Sequence, residues 1–387
     1  MPHVVKRDSY FWTIALQTFA VNFFLGSFGP AQPLLRADQH TSLTVAGLHG
    51  TAMGIASICA GLLNPHLAHR FGRDNTAWIG LGIFCIGILI LVFAPPVQLT
   101  IPGALIAGFG TSTVINNFVT SLNKHYGKAA PFAVMQANGI GSSGYVFGTI
   151  TVGTIANITR DHWRLGLLII LPIVAYLYFV RRDKSLTNHV PSEHGPQNGK
   201  LSLKYWIAWI GFVAVISSEF ATSFWAAALV RDRTDASPAI STLAIVALGT
   251  GMGIGRWFGA QALRNFEPDS QLKIFIVTQF VGFAILWFSH NLTLSIAAIL
   301  IVGLGISSQF ALSSIRMIGL SEGRPDLAIG KSSMAAGLAI GGAPFALGLL
   351  GDHLGISRAY LMVPALIVIA FLIVQFIPSH LEQDVEL

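Results

Sequence analysis

Apolar runs of about 20 residues recur along the whole chain of 387 residues, and this feature limits its fold more than any other. A helix of that length spans the hydrocarbon core of a bilayer, and the alternating, roughly 10-residue strands typical of an outer-membrane barrel do not occur. Charged residues make up only 10% of the sequence, where about a quarter is usual in a soluble protein. The sequence therefore predicts an all-α polytopic membrane protein.

Twelve transmembrane helices are predicted. The first follows the short basic segment Met1 to Asp8 and runs to about Leu35 without a small-residue cleavage site, so we expect a retained helix and not a cleaved signal peptide. The others are predicted near residues 43–63, 76–94, 99–121, 129–155, 163–180, 205–229, 239–260, 273–289, 293–315, 328–350 and 357–377.

The segment 181–204 combines charged residues with proline and glycine, which is typical of a flexible linker. It separates a predicted N-terminal six-helix half, 1–180, from a C-terminal half, 205–387. A repeated stretch supports this division, because GTAMGI at residues 50–55 returns as GTGMGI at residues 249–254. Weaker matches follow in the same order, which indicates duplication of a unit of roughly 200 residues and two pseudo-symmetric halves.

Basic residues are distributed unevenly between the two ends of the predicted helices. Of the 23 lysines and arginines, 17 fall on the side of the termini and the linker and six on the other. An excess of lysine and arginine marks the cytoplasmic side of a membrane. We therefore expect both termini and the linker in the cytoplasm and the protein in the inner (plasma) membrane, and we interpret the basic excess as a topology signal, not as nucleic-acid binding.

The loop between the second and third predicted helices carries a partial motif. Residues 65–74 read PHLAHRFGRD, whereas the motif reads Gly-x-Leu-Ala-Asp-Arg-x-Gly-Arg-Arg. The positions that match are Leu67, Ala68, Arg70, Gly72 and Arg73. Together with twelve predicted helices in two halves, this loop makes the whole chain resemble the major facilitator superfamily of transporters.

The resemblance implies a cytoplasmic gate at this loop, formed by His69, Arg70, Gly72 and Arg73. In the family, an acidic residue at the position of His69 helps to lock the gate to the other half of the protein. Here this interlock is either absent or made by a histidine that is able to titrate. Arg316, at the inner end of the tenth predicted helix, is a further candidate for the gate or a snorkelling residue.

Glu219 is the only acidic residue that the sequence places deep within a predicted helix. It follows Lys204 by 15 residues, so we expect it about 22 Å from the cytoplasmic end of its helix. An ionisable side chain there costs roughly 2.5–3.5 kcal/mol on insertion scales, and we predict that Glu219 is the proton-coupling group. The alternative is a structural carboxyl, either protonated or paired with Arg36 or Arg231.

His49 is the only histidine within a predicted helix, and it is a second candidate for proton transfer. A single polar contact to a neighbouring helix is an equally good interpretation of this residue.

Arg256 is the only arginine that the duplication places inside a helix, because the offset of 199 residues aligns it with Ser57. One interpretation is a cation of the central cavity that binds an anionic group or takes part in gating. The other is an interfacial arginine that snorkels within reach of Arg264 and Glu267.

Neutral amides supply the remaining candidates for substrate binding, which are Asn22, Asn116, Asn117, Gln136 and Gln309. In the family that the chain resembles, helices 1, 4, 7 and 10 line the cavity, which favours Asn22, Asn116 and Gln309 together with Glu219. Hydrogen bonding between helices is the alternative for every amide. Phenylalanines beside these positions predict apolar cavity walls, suited to a small amphipathic organic molecule.

No nucleotide-binding loop is present, and no constellation of nucleophile and base, metal ligands or paired carboxylates falls within the predicted helices. The sequence therefore predicts a monomeric secondary active transporter without cofactor or metal, coupled to protons and working by alternating access, and not an enzyme. Two alternatives remain open, an organic-anion carrier or facilitator that uses Arg256, and a sensor or scaffold of the same fold without transport.

Overall fold

The computed structural model describes residues 7–126, 130–159, 162–185, 199–263 and 266–379, and within these ranges it contains helices and no strands. The central part of the predicted linker, residues 186–198, lies outside the described residues. The helices are α1 (Ser9–Gln39), α2 (Leu43–Phe71), α3 (Arg73–Phe93), α4 (Val97–Tyr126), α5 (Ala130–Ile158), α6 (Leu165–Leu168), α7 (Ile170–Ser185), α8 (Leu203–Thr234), α9 (Pro238–Ala262), α10 (Pro268–Phe288), α11 (Leu292–Ile306), α12 (Gln309–Gly319), α13 (Pro325–Leu354), α14 (Ile356–Ala359) and α15 (Met362–Phe376).

Among the described residues, ten helical segments are long and apolar enough to cross a membrane. Leu165–Arg181 forms a shorter apolar segment, and α5 adds a helix of 29 residues. The prediction of a multi-pass, all-α membrane protein is confirmed. The count of twelve transmembrane helices and the division into two halves remain predictions.

A turn at Ser307 and Ser308 separates α11 from α12, where the sequence predicted one continuous helix over 293–315. The Ser307 hydroxyl donates a hydrogen bond to the Leu304 carbonyl at 2.7 Å. Serine side chains that bond to nearby backbone groups compete with the helical ladder, which explains a break inside an apolar segment. The break places the end of α11 in the interior of the protein.

The N-terminal helices (α1–α7) and the C-terminal helices (α8–α15) each pack mainly among themselves. Within the first group α1 packs on α5, and α4 packs on α2 and α3; within the second, α8 packs on α13 and α15, and α11 packs on α9 and α10. Two extensive contacts join the groups, α2 with α13 and α5 with α9, and α1 also contacts α8 and α9. The space between the groups is therefore bordered by α1, α5, α8 and α9.

The repeated sequence stretch lies at both of the extensive contacts between the groups. On α2, a methyl group added to Gly54 would overlap the backbone of Gly341 in α13. On α9, a methyl group added to Gly249 would lie 2.6 Å from Cδ1 of Tyr145 in α5. Because lipid gives no hydrophobic drive for helix association, such close approaches at small residues hold membrane helices together.

Two proline-containing helices, α1 and α13, each accept a hydrogen bond from a hydroxyl group of a neighbouring helix. Pro30 cannot donate a backbone hydrogen bond to Gly26, and the Thr149 hydroxyl donates to the Gly26 carbonyl at 2.9 Å instead. In α13, which contains Pro344, the Thr51 hydroxyl of α2 donates to the Gly341 carbonyl at 2.9 Å. At Gly26, the carbonyl that Pro30 leaves without a helical partner is thus satisfied inside the bundle, as a membrane environment requires.

The two ends of the bundle are called here the linker end, where α1 and α8 begin, and the far end, where α2 and α9 begin. At the far end, Asp352 of α13 accepts hydrogen bonds from the backbone N–H groups of Leu43 and Thr44 at 2.9 and 2.8 Å, and one from the Thr44 hydroxyl. Asp352 therefore caps the first turn of α2 and connects the two groups of helices at this end.

At the linker end, Asp8 caps α1. Its carboxylate accepts a hydrogen bond from the Phe11 N–H at 2.9 Å and lies 2.7 Å from Nε2 of His125. Burial by itself would raise the pKa of Asp8, but the hydrogen bonds from Phe11, His125 and Tyr126 hold this pKa below its ordinary value. The start of α1 is thus fixed to the end of α4.

Candidate functional site

A cavity lies between the N-terminal and C-terminal helices, bordered by α1, α5, α8 and α9. Its enclosed volume is about 40 Å³, and it is partly open to solvent. Its lining residues are Asn22, Leu25, Ser142, Tyr145, Glu219, Phe220, Ser223, Phe224, Gly249, Met252 and Arg256. Apolar walls with a few convergent polar groups are typical of a binding site for a small organic molecule.

Arg256 projects from α9 to the cavity and is held by two hydrogen bonds. Its Nε donates to the Ser307 carbonyl at 3.2 Å, and its Nη1 donates to the Ser142 hydroxyl at 3.0 Å. The last carbonyl groups of a helix have no partner within that helix, so the end of α11 offers an acceptor here. Since Ser142 belongs to α5, Arg256 also connects the two groups of helices beside the cavity.

Glu219 lies on α8 opposite Arg256, with 3.9 Å between its Oε1 and Nη2 of the arginine. This distance exceeds the range of a hydrogen bond, so the contact is an ion pair without one. The two side chains are only 14% and 22% exposed. Among the residues that the structure describes, the Glu219 carboxylate accepts no hydrogen bond, and Nη2 of Arg256 donates none. Both groups therefore retain bonding capacity toward the cavity.

Glu219 and Arg256 are separate candidates in the sequence, and the structure brings them together. Arg36 and Arg231, the partners considered for Glu219, are exposed on α1 and α8 toward the far end. Of the residues considered beside Arg256, Glu267 is exposed at the start of α10, and Arg264 lies outside the described residues. The two residues lie on different helices, α8 and α9. The spacing of residues along one helix therefore could not indicate that they meet.

The amide candidates occupy different places. Asn22 lines the cavity, where its Nδ2 donates to the Thr18 carbonyl at 2.9 Å. Gln309 is 2% exposed and donates to Gln279 Oε1 at 2.8 Å, and Nε2 of Gln279 donates to the Ser218 hydroxyl at 3.0 Å. A substrate role for Gln309 stays a prediction, because its contacts are those of an amide between helices.

The other polar candidates are not among the lining residues of the cavity. Asn117 donates to Asn64 Oδ1 at 2.7 Å, Gln136 accepts a hydrogen bond from Arg7 at 3.0 Å, and Asn116 is half-buried on α4. His49 is fully buried, with Nε2 at 2.9 Å from the Thr100 hydroxyl and Nδ1 at 3.1 Å from the Ala46 carbonyl. Their proposed roles remain predictions, and none of these side chains borders the cavity.

The predicted gate residues lie toward the linker end. His69, Arg70 and Arg73 are exposed, and Gly72 joins α2 to α3 with φ of 80°, a left-handed conformation that favours glycine. Arg316 is buried, with its Nε 3.2 Å from Asp269 Oδ1. This ion pair connects α12 to α10 within the C-terminal helices. The gate itself remains a prediction.

Several cavity residues were not singled out from the sequence, chiefly Ser142, Tyr145 and Met252. Tyr145 is 8% exposed, and its hydroxyl has no hydrogen-bond partner among the described residues. Two signals were available: Met252 belongs to the repeated stretch, and both α5 residues lie within a ladder of glycines. The sequence does not say which face of α5 meets the cavity, so those signals indicated helix contacts only.

The chain matches the sequence profile of the Major Facilitator Superfamily over residues 14–321. It therefore belongs to this family. Members of the family are membrane transporters and not enzymes, which agrees with the class of protein that the sequence predicted. This result confirms the resemblance noted for residues 65–74.

Curated relatives match over shorter stretches. "Uncharacterized transporter YycB" of Bacillus subtilis (strain 168) is 33% identical over 128 residues, which are 32% of this chain and 31% of the relative. "Sugar transporter ERD6-like 15" of Arabidopsis thaliana is 28% identical over 172 residues, or 42% of this chain and 34% of the relative. The chain thus spans about a third of the length of these relatives.

Solved structures resemble the chain over nearly its whole length. A mutant of the nucleoside transporter NupG superposes with a TM-score of 0.75 at 12% identity, covering 94% of this chain and 98% of that one. The Major Facilitator Superfamily transporter FucP, in the outward conformation, superposes with a TM-score of 0.66 at 15% identity, covering 96% of this chain and 99% of that one. At these identities the likeness establishes the fold alone.

Proposed function

We propose that the protein is a secondary active transporter that moves a small amphipathic organic solute by alternating access, driven by protons. The observation that carries the proposal is the position of Glu219. Its carboxyl faces a cavity between two groups of helices, without a hydrogen bond from the described residues and 3.9 Å from Arg256. Ionisable groups at such depth in a membrane protein are typical of proton pathways and substrate sites.

The free bonding capacity of Glu219 supports proton coupling. A carboxylate that accepts no hydrogen bond can take up a proton without breaking one, and the change alters its attraction to Arg256. Arg256 is also bonded to Ser142 across the boundary between the helix groups. A proton on Glu219 therefore changes the balance of forces at the surface where the groups must move relative to each other.

The contacts between the groups support alternating access. Small residues pack backbones closely between α2 and α13, and small side chains allow two packings of similar stability. The cap that Asp352 provides to α2 would hold the far end closed while it is intact. Opening the far end requires that these hydrogen bonds break, so we expect Asp352 to stabilise the closed state of that end.

The apolar cavity walls support an amphipathic solute. Leu25, Phe220, Phe224 and Met252 line the cavity beside the charged pair. A solute with one polar group and a small apolar body satisfies both kinds of surface.

A second candidate function is a facilitator of organic anions that uses Arg256 without proton coupling. The observation that favours it is Nη2 of Arg256, which forms no hydrogen bond with the described residues and borders the cavity. In that case Glu219 would serve only as the counter-charge of the arginine. A sensor or scaffold of the same fold without transport is the weakest alternative, because members of the family are transporters.

The test uses the full chain in proteoliposomes. Ligands are first found by a thermal-shift screen of the purified protein against metabolites and drugs at two pH values, because a ligand of the folded state raises its apparent stability. The best ligand is then used for uptake under an imposed pH gradient and for exchange without a gradient. We expect Glu219→Gln to retain exchange and to lose accumulation driven by the gradient.

Glu267→Gln is the matched control, since Glu267 is exposed at the start of α10. It should accumulate the ligand as the unaltered protein does. Undiminished accumulation by Glu219→Gln would contradict the assignment and direct attention to His49. Exchange without accumulation in the unaltered protein would favour the facilitator.

We further propose that both termini and residues 181–204 face the cytoplasm of a plasma membrane and that the transporter is a monomer. Single cysteines introduced at exposed ends, such as Leu203 and Leu354, should react with an impermeant reagent from opposite sides of the membrane. Labelling of both from one side would contradict this topology.

A further inference from the structure

We infer that the cavity takes a small organic monoanion, such as a monocarboxylate with an apolar body, and that this anion binds Arg256 together with one proton on Glu219. The inference rests on the proposed function and specifies its substrate class. It follows from the unused donors of Arg256, the charge balance of the pair and the lining of the cavity.

The first step concerns the donors of Arg256. A guanidinium has five N–H bonds in a planar fork that matches the two oxygens of a carboxylate. One is used at Ser307 and one at Ser142, so three remain, including both on Nη2. Because those two hydrogen bonds fix the plane of the guanidinium, its free edge is oriented toward the cavity before a ligand arrives. A preorganised fork of this kind favours a carboxylate over a neutral acceptor.

The second step is the balance of charge. With Glu219 ionised, the pair is neutral, and an added anion would leave one negative charge without a partner inside the membrane. A proton on Glu219 restores neutrality, because the anion then takes the place of the carboxylate as partner of Arg256. The anion and the proton therefore bind with positive cooperativity, and linkage requires that each strengthens the other by the same factor.

The third step limits the ligand to one charge. Among the lining residues, Arg256 is the single cation, so a second negative charge would have no partner. A cationic ligand would be repelled by Arg256 unless Glu219 turned away from it. The buried Tyr145 hydroxyl has no partner among the described residues and offers one more donor to a bound anion.

The last step concerns the body of the ligand. Phe220 and Phe224 on α8 face Leu25 on α1 and Met252 on α9 around the cavity. The cavity is small, about 40 Å³, and partly open to solvent, so only a small molecule is compatible with it. A short-chain fatty acid or a benzoate is a small molecule of this kind, with one charged end and one apolar end.

The experiment measures binding to the purified full-length protein by isothermal titration calorimetry. The probes are benzoate and butyrate, each compared with its neutral amide, benzamide and butyramide, at about pH 5.5 and about pH 7.5. Proton uptake is followed with a pH indicator in weak buffer. We expect a carboxylate to bind more tightly at the lower pH and more tightly than its amide. Binding of each anion should be accompanied by the uptake of about one proton.

Two variants separate the roles of the pair. Arg256→Gln should weaken carboxylate binding by roughly tenfold or more, the low end for a charge-assisted hydrogen bond. Glu219→Gln should bind the carboxylate at neutral pH as tightly as the unaltered protein does at acidic pH, and it should take up no proton. Arg358→Gln and Glu267→Gln, both at exposed positions, are the controls and should bind as the unaltered protein does.

The inference is overturned if no carboxylate probe binds, if the amides bind equally well, or if folded Arg256→Gln keeps the full affinity. Binding without proton uptake also overturns it. Accumulation of a neutral or cationic solute under a pH gradient would overturn this substrate class while the proposed function stands. Cooperative binding of benzoate and a proton, with no accumulation in proteoliposomes, would support the site and contradict the proposed function.

Discussion

Ser218 and Glu219 are adjacent on α8, yet they belong to two polar groups of opposite character. Ser218 takes part in a glutamine network, defined here as Ser218, Gln279 and Gln309. Glu219 and Arg256 form the charged pair that borders the cavity. Both groups are polar, both lie inside the membrane-spanning bundle, and both connect α8 to other C-terminal helices.

The glutamine network is closed. Its members are at most 2% exposed and are connected by hydrogen bonds of 3.0 and 2.8 Å. Two further bonds tie it to the backbone, since Ser218 donates to the Val215 carbonyl and Gln309 to the Gly305 carbonyl. A satisfied network of this kind stabilises one arrangement of helices and leaves little capacity for a ligand.

The charged pair is open, because its atoms are 3.9 Å apart and both partners retain capacity toward the cavity. The comparison shows that burial of a polar residue in a membrane protein does not by itself mark a binding site. The useful criterion is unused bonding capacity that faces a cavity. This criterion predicts that changes in the network affect stability, whereas changes in the pair affect binding and transport.

The largest effect is expected for Gln279→Ala. The substitution leaves one N–H of Gln309 without a partner and creates a gap in a packed interior, so we expect the free energy of unfolding to fall by about 3 kcal/mol. Ligand affinity and the pH dependence of transport should persist in the protein that remains folded. Thermal unfolding in detergent measures the first effect, and uptake in proteoliposomes measures the second.

Gln375→Ala is the control for the network, because Gln375 is exposed on α15. Its unfolding free energy should change by no more than about 0.5 kcal/mol. The comparison fails if Gln279→Ala abolishes ligand binding while the protein keeps its stability, because the network would then belong to the site.

A smaller effect is expected for Arg256→Lys, which keeps the positive charge and loses the planar set of N–H donors of the guanidinium. Lysine cannot reach the Ser307 carbonyl, the Ser142 hydroxyl and the cavity together, so ligand affinity should fall by about 1.5 kcal/mol. Calorimetry with the best ligand measures the change. Arg358→Lys, at an exposed position, should leave the affinity unchanged, and full affinity in Arg256→Lys would mean that charge alone is recognised.

The smallest effect is expected for Tyr145→Phe, which removes a hydroxyl that has no partner among the described residues. The unfolding free energy should stay within about 0.5 kcal/mol, because no hydrogen bond is lost. Ligand affinity should fall by about 0.5–1.5 kcal/mol if the hydroxyl donates to the bound ligand. Thermal unfolding and calorimetry on the same sample separate the two quantities.

Tyr205→Phe is the matched control, because the buried Tyr205 hydroxyl donates to the Ala328 carbonyl at 3.0 Å. Its loss should lower the unfolding free energy by about 1 kcal/mol and leave affinity unchanged. Equal stability losses in the two tyrosine variants would mean that the Tyr145 hydroxyl is already bonded in the free protein.

The sequence by itself determined the membrane class and the family. Apolar runs require helices, because a backbone in lipid must satisfy its own hydrogen bonds. The duplication predicted two related halves, and the repeated stretches, residues 50–55 and 249–254, lie at the α2–α13 and α5–α9 contacts. The sequence also singled out Glu219, because the cost of an ionisable group in a membrane depends on depth, which residue counting estimates.

Only the tertiary structure decided which polar residues meet. Successive residues of a helix point about 100° apart, so Ser218 and Glu219 face different neighbours, and the sequence does not say which neighbours those are. The rotation of α8 against α9 and α10 is set by packing among segments distant in the chain. That packing, with the break after α11 that presents the Ser307 carbonyl, brought Arg256 to Glu219 and left Gln309 in a closed network.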